Sequence, residues 1–512
     1  MGHMSKKKQG KRAKRAAQEV KPFVFEDCYD LAVVGGGAAG LACALTCAQE
    51  ARRLGGRMPR IIVLEKGRRI GSSILRSGNG RCNFSNSQLQ AGQYHNGRFA
   101  ERSLQELVGK TESKLSAASG DFAGAGSVGG SGSVGGSGGH DSAGCAPWES
   151  ALAAPAVRWF EQLGLVWEEA AGADGLLYPF SNKASSVLEV LVSNLQQFNV
   201  DLRVCVDVDA IGSATGGFEL SLSQAALPQP GQAKHASSAG GAGQCGLRKA
   251  DAADSPCAQR AHIRATRVAF APGGGFDAAL LAGVGLDCLD PWQPVLGPLV
   301  VRFPARVDAG QLDGIRVRAR VSVPETGFSE VGEVLFREYG VSGIVVFNAS
   351  RSAVAGAKLC LDFLPGLSVE DAEALLARRA RQFAGEGALA LFRGFLLPEL
   401  AEAVCAAAGV NSAGAAGGEE GIRLLAETLK CFCCTVEGIA DERQCQVHRG
   451  GVPVSAVYPA TMECACAPGF YVLGEALDVD GPCGGYNLHW AWSSGMLAGY
   501  DMARFFAEGK RC

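Results

Sequence analysis

The sequence predicts an α/β protein in which a parallel sheet is combined with a region rich in β-strands and with a small helical insert. Three observations predict this class. Residues 30–65 contain two short apolar strands on either side of a helical stretch, which is a βαβ unit and implies a parallel sheet. Residues 201–223 and 260–347 are rich in β-branched residues and arginines, which favours antiparallel strands. Residues 368–407 repeat their apolar positions with helical periodicity.

The βαβ unit holds a glycine-rich turn where its first strand meets its helix. The strand at 30–34 is followed by the pattern G-x-G-x-x-G, which is typical of a Rossmann-like dinucleotide site. Gly35 permits the tight turn, Gly37 lets the backbone approach a pyrophosphate, and Gly40 allows close packing of helix and strand. Glu65 ends the next strand, where an acidic side chain accepts hydrogen bonds from ribose hydroxyls. An adenine dinucleotide is therefore expected at this turn.

Two later glycine-rich segments favour FAD over NAD as this dinucleotide. Residues 77–83 read Ser-Gly-Asn-Gly-Arg-Cys-Asn and lie shortly after the ribose strand, within reach of a pyrophosphate and a flavin. Near the other end of the chain, an apolar strand ends at Gly474-Glu475, and a Gly-Gly turn at 484–485 leads into a final helix at 486–508. The start of that helix can stabilise negative charge on a reduced isoalloxazine near N1 and O2. The C-terminal cluster alone also reads as a structural turn, so the interpretation depends on its pairing with the N-terminal pattern.

Composition and charge argue against three classes of protein: nucleic-acid-binding, secreted disulfide-rich and membrane-spanning proteins. Lys plus Arg number 49 and Asp plus Glu number 51, so the net charge of −2 argues against a nucleic-acid-binding surface over the whole molecule. The 19 cysteines are odd in number and scattered, unlike the disulfide framework of a small secreted domain. No stretch reaches the roughly 18 uncharged apolar residues that cross a bilayer. We expect a protein of the reducing cytoplasm, with no membrane span and no nucleic-acid partner.

Low-complexity segments interrupt the chain. Residues 1–22 carry several lysines and arginines but no apolar segment, so they are not a signal peptide. We expect a disordered basic tail there, with weak contact to nucleic acid or a membrane surface as the alternative. Glycine makes up 70 of the 512 residues, and low-complexity stretches at 115–146, 227–258 and 408–420 hold much of this surplus.

Four motifs resemble those of a known family. Ser77–Asn86 (SGNGRCNFSN), Tyr178–Val187 (YPFSNKASSV), Phe336–Gly343 (FREYGVSG) and Gly474–Gly495 (GEALDVDGPCGGYNLHWAWSSG) occur in that family's order. The family is that of the bacterial flavoproteins called HI0933-like, aminoacetone-oxidase-like or BaiN-like oxidoreductases. The Gly-Arg-Cys-Asn and Gly-Gly-Tyr-Asn-Leu blocks are distinctive, and the similarity spans roughly residues 28–508 apart from the insertions. The chain is identified as a member on these motifs.

The resemblance implies a Rossmann-like FAD-binding domain built from both chain ends, a β-rich middle domain and a small helical insert. The corresponding ranges are a tail at 1–22, the first part of the FAD-binding domain at 23–205 with its insertion at 115–146, the β-rich domain at 206–360 with its insertion at 227–258, the helical insert at 361–430, and the second part of the FAD-binding domain at 431–512. Tightly bound FAD is expected at Gly35, Gly37, Ala38, Ala39, Gly40, Glu65, Lys66, Gly80, Arg81, Cys82, Asn83, Val208, Gly474, Glu475, Gly485, Tyr486, Asn487 and Leu488.

The chain departs from this family at two places. Ser73 stands where the family usually has a basic residue, so one contact on the phosphate side is expected to be absent. The family's Gly-Ser-Thr-Gly-Asp-Gly-Tyr stretch is missing, and residues 271–276 run directly into 277–280. A loop beside the expected active site is therefore shortened, and substrate specificity transfers poorly from relatives.

The resemblance and the chemistry of the turn predict reduction of a C=C bond conjugated to a carbonyl, in a hydrophobic small molecule such as a 3-oxo bile-acid or steroid-like enone. Only one clear dinucleotide pattern is present, so NAD(P)H is expected as a transient donor at the flavin face. Tyr486 and Arg81 are candidates for stabilising the substrate oxygen, and His489 is the candidate proton source. Two alternatives stay open. The first is a flavin amine oxidase of the aminoacetone-oxidase type. The second is a non-catalytic protein in which FAD has a structural role and the basic tail docks a partner such as RNA. The oligomeric state is not predicted.

Other reactive residues have ordinary structural interpretations. The clusters at 431–434 and 464–466 lack the C-x₂-C spacing usual for iron–sulfur or zinc sites, so plain thiols are expected unless distant pairs converge. Arg81 could lower the pKa of Cys82, but a packing role is expected for this small side chain. Lys183 is interpreted either as a solvated lysine at a helix start or as a cation near the flavin.

Overall fold

The computed structural model describes residues 21–120, with side chains to residue 113, and residues 151–170, 172, 175–224, 259–414 and 418–509. The predicted basic tail up to residue 20 and most of the predicted insertions at 115–146 and 227–258 lie outside the described residues. Within the described part of the chain, no helix is both long enough and apolar enough to cross a bilayer.

The described residues form strands and α-helices joined by short turns and 3₁₀ segments. The strands are β1 (Cys28–Val34), β2 (Ile61–Glu65), β3 (Ser85–Asn86), β4 (Trp167–Glu169), β5 (Leu176–Pro179), β6 (Asp201–Val204), β7 (Val206–Ala214), β8 (Gly217–Gln224), β9 (Arg260–Phe270), β10 (Asp290–Val295), β11 (Leu299–Arg302), β12 (Arg316–Val323), β13 (Phe328–Arg337), β14 (Gly340–Ser342), β15 (Lys358–Asp362), β16 (Phe432–Ile439), β17 (Val447–Gly451) and β18 (Phe470–Val472). The helices are α1 (Ala38–Arg53), α2 (Ser72–Arg76), α3 (Gly97–Gly120), α4 (Ala154–Gln162), α5 (Ala184–Gln197), α6 (Ala309–Leu312), α7 (Ile344–Ser350), α8 (Val369–Gln382), α9 (Pro398–Ala408), α10 (Gly418–Lys430) and α11 (Tyr486–Ala507).

The first sheet has seven strands in the order β6-β2-β1-β9-β8-β7, with β18 also paired to β9. The strands β6, β2, β1, β9 and β18 pair in parallel, whereas β8 pairs antiparallel with both β7 and β9. Nine of the twelve residues of β1 and β2 are buried and apolar, which is typical of strands inside a parallel sheet. The predicted βαβ unit is confirmed as β1, α1 and β2.

The two ends of the chain meet on this sheet. The late strand β18 joins its centre through β9, and the last helix, α11, packs along α1. Gly495 and Gly499 of α11 lie so close to α1 that a Cβ at either position would collide with the carbonyl oxygen of Ala39 or Cys43. Glycine at these positions therefore lets the two helices approach closely. A Rossmann-like domain built from both chain ends, as predicted, is confirmed.

The second region is a closed barrel of antiparallel strands in the order β11-β14-β13-β12-β15-β16. Its interior shares one hydrophobic cluster with α8, α9 and α10, which contribute residues such as Leu376, Val404 and Leu425. The predicted β-rich region and helical insert are therefore both present, and they form one packed unit.

Strand pairing differs from the predicted divisions in three respects. The strands β7, β8 and β9 complete the first sheet, although the β-rich domain was expected to begin at residue 206. The strand β16 closes the barrel, although the FAD-binding domain was expected to resume at residue 431. The strand β6, expected to be antiparallel, pairs in parallel with β2. β-branched composition predicts that a segment is a strand, but the sheet it joins depends on long-range packing.

Candidate functional site

The glycine-rich turn after β1 contains glycines that the fold requires and one that it does not. A Cβ at Gly35, where φ is 105°, would collide with the Ala271 carbonyl oxygen. A Cβ at Gly40 would collide with the carbonyl oxygen of Gly35. At Gly37, by contrast, the nearest atom to a Cβ would be Ser73 Oγ, at 3.3 Å. That side-chain oxygen is the one described atom within 4 Å, so no backbone atom blocks the approach of a pyrophosphate to Gly37 at the start of α1.

The Glu65 carboxylate, at the end of β2, is held by backbone N–H groups of the adjoining turns. Gly36 N–H donates to Oε2 at 2.9 Å, and Gly67 N–H donates to Oε1 at 2.7 Å. Each carboxylate oxygen has a second lone pair. The carboxylate is therefore fixed in position and can still accept hydrogen bonds from ribose hydroxyls.

Lys66 and Val208 both lie where β2 meets β7. Lys66 Nζ is 2.8 Å from Asp207 Oδ2, and 77% of its side chain is exposed. Val208 follows Asp207 in β7 and is buried. The structure therefore brings these two predicted contact residues to the same edge as Glu65.

Gly474, two residues after the end of β18, lies against the first turn of α1. Ala38 and Ala39 are the first two residues of α1 and both are buried. A Cβ at Gly474, where φ is 63°, would lie 3.0 Å from the Ala39 Cβ. The predicted N-terminal and C-terminal cofactor segments are therefore direct neighbours.

The loop at 77–83 turns through left-handed backbone positions at Gly78, Asn79, Gly80 and Cys82. Arg81 is exposed, and its guanidinium carbon lies 4.8 Å from the centre of the Tyr178 ring. Stacking of this kind orients a guanidinium and leaves its positive charge available. Arg81 is therefore placed to meet an anionic or partly negative oxygen.

Cys82 is fully buried beside Arg81. Burial raises the pKa of its thiol to about 12, so the thiol is neutral at physiological pH. Arg81 stacks on Tyr178 and does not stabilise a thiolate. The expected packing role of Cys82 agrees with this placement.

Asn83 has hydrogen-bonding capacity that the described residues leave unused. Its Oδ1 atom is buried and has no partner among them. The same atom lies 3.0 Å from the position that a Cβ on Gly485 would take. Buried polar atoms in folded proteins are nearly always paired. This atom therefore fits a hydrogen-bond donor supplied by a bound group.

The turn before α11 contacts the loop at 77–86. Gly484 and Gly485 have φ values of 120° and 94°, and a Cβ at Gly485 would collide with the backbone of β3. Asn86 Nδ2 donates to the Gly484 carbonyl oxygen at 2.9 Å. Asn487 exchanges two hydrogen bonds of 2.8 Å with the backbone of Gly481, which fixes the turn from its other side. Leu488 follows, half-buried, in the first turn of α11.

Tyr486 begins α11 and is largely buried. Its ring centre lies 5.4 Å from that of Tyr94, and its hydroxyl oxygen accepts a hydrogen bond from Gln90 N–H at 3.3 Å. Burial raises the pKa of the phenol, so it stays protonated at neutral pH. Among the residues that the structure describes, none accepts the proton of this hydroxyl. Tyr486 is therefore available as a hydrogen-bond donor.

His489 is not placed to act as a proton source, and its predicted role is corrected. The ring is fully buried, with Nδ1 2.9 Å from Ser85 Oγ and Nε2 3.2 Å from Ser493 Oγ. Burial lowers the pKa of His489 to about 4, so the imidazole is neutral at physiological pH. Both ring nitrogens are engaged within the protein. His489 therefore joins α11 to β3.

His448, on β17, is a candidate site residue that the sequence analysis did not single out. Its backbone N–H donates to Glu475 Oε1 at 2.7 Å, and its Nδ1 lies 3.2 Å from the same oxygen. The Glu475 carboxylate raises the pKa of the half-exposed imidazole, and burial opposes this effect. A Cβ at Gly275 would lie 3.8 Å from His448 Nε2, so the loop at 271–276 passes beside the ring. No spacing in the sequence connects His448 with Glu475.

Asp480 lies within the Gly474–Gly495 motif, where the sequence analysis gave it no separate role, and it joins the barrel to the Gly-Gly turn. Its carboxylate is fully buried and lies 2.6 Å from Arg351 Nε and 2.6 Å from Arg449 Nε. Arg351 directly follows α7, which packs on the barrel strand β13, and Arg449 belongs to β17. A buried carboxylate paired with two guanidinium groups fixes the position of the segment that leads to Gly484.

Lys183 lies exposed immediately before α5. This position agrees with the interpretation of a solvated lysine at a helix start.

The residues present fit a bound FAD. The space beside Gly37 accommodates a pyrophosphate at the start of α1, and Glu65 is positioned for ribose hydroxyls. The unpartnered Asn83 Oδ1 lies against the Gly-Gly turn at the start of α11, on the side of the site expected for the flavin. Both ends of an extended cofactor thus have matching groups.

Comparison with known families agrees with this fit. The model of the HI0933-like protein Rossmann domain matches residues 152–501, which is more than half of the chain. A model of an FAD-binding domain matches residues 30–116, the part that contains the glycine-rich turn and the loop at 77–83.

Two curated proteins are similar to the chain over nearly their whole length. The 3-dehydro-bile acid delta(4,6)-reductase of Clostridium scindens is 28% identical over 487 residues, covering 92% of this chain and 98% of the relative. The ribosomal RNA dihydrouridine synthase of Escherichia coli is 24% identical over 484 residues, covering 93% of this chain and 98% of the relative.

Solved flavoenzyme structures are more distant. The 3-ketosteroid-delta4-(5alpha)-dehydrogenase of Rhodococcus jostii is 13% identical, with 94% of this chain and 98% of that chain covered and a TM-score of 0.38. A score this low supports no conclusion about this chain.

Proposed function

The chain belongs to the HI0933-like family and is an FAD-dependent oxidoreductase, and from this premise we propose that it reduces a C=C bond conjugated to a carbonyl group, with NAD(P)H as electron donor. The observation that carries the proposal is the kind of product named in both relatives. A delta(4,6)-reductase of a 3-dehydro-bile acid and a dihydrouridine synthase each saturate a C=C bond conjugated to a carbonyl. The overall reaction converts an enone, NAD(P)H and one proton into the saturated ketone and NAD(P)⁺.

The reaction needs a hydride for the β-carbon, a hydrogen-bond donor for the carbonyl oxygen and a proton for the α-carbon. FAD, when bound and reduced, supplies the hydride from its N5 position. Side chains of the protein have to supply the other two groups.

Tyr486 is the proposed donor to the carbonyl oxygen. Its phenol stays protonated, and its hydroxyl oxygen is held by Gln90 N–H while its own proton is free of described acceptors. A donor already fixed in direction stabilises an oxygen on which negative charge develops.

Arg81 is proposed as a second stabilising group at the same oxygen. Its exposed guanidinium is oriented by Tyr178 and carries a full positive charge. A guanidinium favours the enolate over the neutral ketone because only the enolate carries negative charge.

His448 replaces His489 as the proposed proton source for the α-carbon. The Glu475 carboxylate raises its pKa, so the imidazolium is populated at higher pH than for an ordinary histidine. Its side chain is 38% exposed, so it can recover a proton from solvent after each turnover.

A second candidate substrate is uridine within RNA. The Escherichia coli relative covers 93% of this chain and is named for dihydrouridine in ribosomal RNA. The C5–C6 bond of uridine is conjugated to the C4 carbonyl, so the same three groups would serve. The sequence also carries Lys6, Lys7, Lys8, Lys11 and Arg12 near its start, where basic residues suit a phosphate backbone.

The test is anaerobic mixing of the purified flavoprotein with NADH or NADPH, followed by a panel of oxidants. We expect a nicotinamide to bleach the flavin absorbance and an enone to restore it, with mass spectrometry showing two added hydrogens in the product. The panel contains a 3-oxo-Δ4 steroid, small cyclic enones, uridine and an unmodified ribosomal RNA transcript. Reoxidation by the transcript alone selects the RNA substrate.

A different result would refute the reductase. If no member of the panel reoxidises the flavin, while amines bleach the oxidised protein and give peroxide in air, the chain is an amine oxidase.

A further inference from the structure

Three cysteines meet on the outside of the barrel: one lies in β15, one in β16 and one immediately before β16. Cys360 and Cys433 are cross-strand partners, and their Sγ atoms lie 3.1 Å apart. Cys431 precedes Cys433 by two positions and so lies on the same side of the chain. All three Sγ atoms lie within 4.8 Å of one another. The structure thus assembles a three-thiol cluster from residues 360, 431 and 433.

The cluster faces away from the barrel interior. Leu359 and Leu361, on either side of Cys360, are fully buried in the barrel core, as is Cys434 on β16. Cys431 is exposed, and Cys360 and Cys433 are half-buried. An ion can therefore reach all three sulfur atoms from solvent.

The cluster is held by contacts that do not involve the thiols. Lys430, the last residue of α10, lies directly before Cys431. Its Nζ is 2.7 Å from Asp362 Oδ2 and 2.7 Å from the Leu364 carbonyl oxygen, which ties the end of α10 to the end of β15. The backbone positions of the thiols are therefore fixed in advance, which lowers the cost of binding an ion.

We propose that this three-thiol cluster binds a Zn²⁺ ion, with a fourth coordination position open to water. Thiolate sulfur is a preferred ligand of zinc, whereas Mg²⁺ and Ca²⁺ require oxygen ligands. Zinc–sulfur bonds of about 2.3 Å place tetrahedral sulfur ligands about 3.8 Å apart. That spacing lies within the range that the three Sγ atoms already span.

Binding converts three thiols into thiolates and releases three protons. The complex of one Zn²⁺ with three thiolates carries a net charge of −1. Lys358 begins β15, two positions before Cys360, so its exposed side chain lies on the same side of the strand as the cluster. A nearby cation favours the anionic complex. The site belongs to the barrel and shares no residue with the proposed flavin site, so it is independent of the proposed reaction.

The test is metal binding by the metal-free holoprotein, with its thiols reduced and its flavin oxidised. Binding is measured with Co²⁺ as a spectroscopic probe and then with Zn²⁺. We expect one Co²⁺ per chain, with intense d–d bands at wavelengths longer than those absorbed by oxidised flavin, and loss of these bands when Zn²⁺ is added. Loss of a direct ligand in Cys360→Ser or Cys433→Ser should weaken binding by more than the roughly 10–100-fold typical of outer-shell partners.

Cys466→Ser is the matched control. Cys466 is exposed, and its Sγ lies 3.2 Å from that of the buried Cys464, so this pair offers one exposed thiol beside a buried one, away from the cluster. We expect the control to bind Co²⁺ like the unaltered protein. Equal Co²⁺ spectra for the unaltered protein and Cys433→Ser, or loss of binding in Cys466→Ser alone, would overturn the proposal.

A second measurement needs no variant and so does not depend on the folding of one. Zn²⁺ should protect Cys360, Cys431 and Cys433 from alkylation in the unaltered holoprotein, as read by peptide mass spectrometry. Cys288, an exposed thiol elsewhere, should be alkylated at the same rate with and without zinc. Alkylation of the three cluster thiols at a rate independent of zinc would refute the site.

Discussion

The two ends of the candidate site differ in how far the protein satisfies its own polar groups. At the nucleotide end, both oxygens of Glu65 accept backbone N–H groups, and Gly35 is required by packing against a neighbouring backbone. At the turn end, Asn83 Oδ1 is buried without a described partner, and the proton of the Tyr486 hydroxyl has no described acceptor. At the nucleotide end, each carboxylate oxygen of Glu65 thus has a partner within the protein. At the turn end, Asn83 Oδ1 and the Tyr486 hydroxyl proton have no described partner.

This difference implies different consequences of substitution at the two ends. Changes at the nucleotide end alter a surface that holds the cofactor, so they should act on FAD content. At the turn end, a change to Tyr486 alters a group that is proposed to contact the substrate, so it should act on rate at unchanged FAD content. The proposed difference between the two ends is wrong if substitutions at the nucleotide end change the rate at full FAD content, or if Tyr486→Phe lowers FAD content.

The largest effect is expected at Gly37. Gly37→Val places a branched side chain in the space that protein atoms leave beside the start of α1, where the pyrophosphate would lie. The purified variant should be colourless. Absorbance and the FAD released on denaturation give the stoichiometry directly.

Gly212→Val is the control for this change. Gly212 lies in β7, and a Cβ there would meet no atom within 4 Å. We expect full FAD content in the control. A yellow Gly37→Val protein with one FAD per chain would show that the turn does not hold the pyrophosphate.

The next effect is expected at the turn end. Tyr486→Phe keeps the ring against Tyr94 and removes only the hydroxyl, so FAD content should be unchanged. Loss of a hydrogen-bond donor to the developing oxyanion should slow the oxidative half-reaction by roughly 10²-fold. Stopped-flow reoxidation of the reduced flavin by an enone measures this rate.

Tyr458→Phe, at an exposed tyrosine, is the control for a generic loss of hydroxyl, and it should react like the unaltered protein. A Tyr486→Phe protein that reoxidises at the original rate would remove Tyr486 from the proposed mechanism.

The nucleotide end could be predicted from the sequence because the residues that form it lie close together along the chain. Gly35, Gly37 and Gly40 lie within six consecutive residues, and Glu65 ends the next strand. The pairing of the loop at 77–83 with the Gly-Gly turn required a long-range inference, which the family motifs supplied and the structure places in direct contact.

The proposed proton source could not be chosen from the sequence because burial, rather than sequence position, decides which histidine can exchange protons with solvent. His489 follows the conspicuous Gly-Gly turn, but it points into the interior between Ser85 and Ser493. His448 lies in an unremarkable strand, and only the folding of β17 against Glu475 brings it to the site. The barrel boundaries were missed for a related reason, since strand composition does not specify a partner strand.

A smaller effect is expected at Glu65. Glu65→Ala removes the acceptor for ribose hydroxyls and also the two backbone N–H contacts that hold the turns. FAD binding should weaken by roughly 1–3 kcal/mol, because a hydrogen bond to a charged group contributes that much. Recovery of flavin fluorescence on dilution measures the dissociation constant.

Glu65→Gln keeps one oxygen acceptor and loses the charge, so its affinity should lie between those of the unaltered protein and Glu65→Ala. If both variants bind FAD like the unaltered protein, the ribose does not lie at the end of β2.

The smallest effect, and the sharpest test of the turn end, is a change of pH dependence at His448. Glu475 raises the pKa of His448, so the imidazolium persists above the usual range and is lost as pH rises through that raised value. If it protonates the α-carbon, the oxidative half-reaction is fastest below this pKa and falls above it. His448→Gln should abolish the alkaline fall and lower the rate at acidic pH by roughly 10-fold, less than the roughly 10²-fold of a shielded general acid. Water, which reaches a side chain that is 38% exposed, accounts for the smaller loss.

His95 is the matched control, because it is 35% exposed and pairs with the Asp478 carboxylate at 3.0 Å. His95→Gln should keep the alkaline fall; if His448→Gln keeps it as well, the proton comes from another group, and the two ends of the site differ in binding alone.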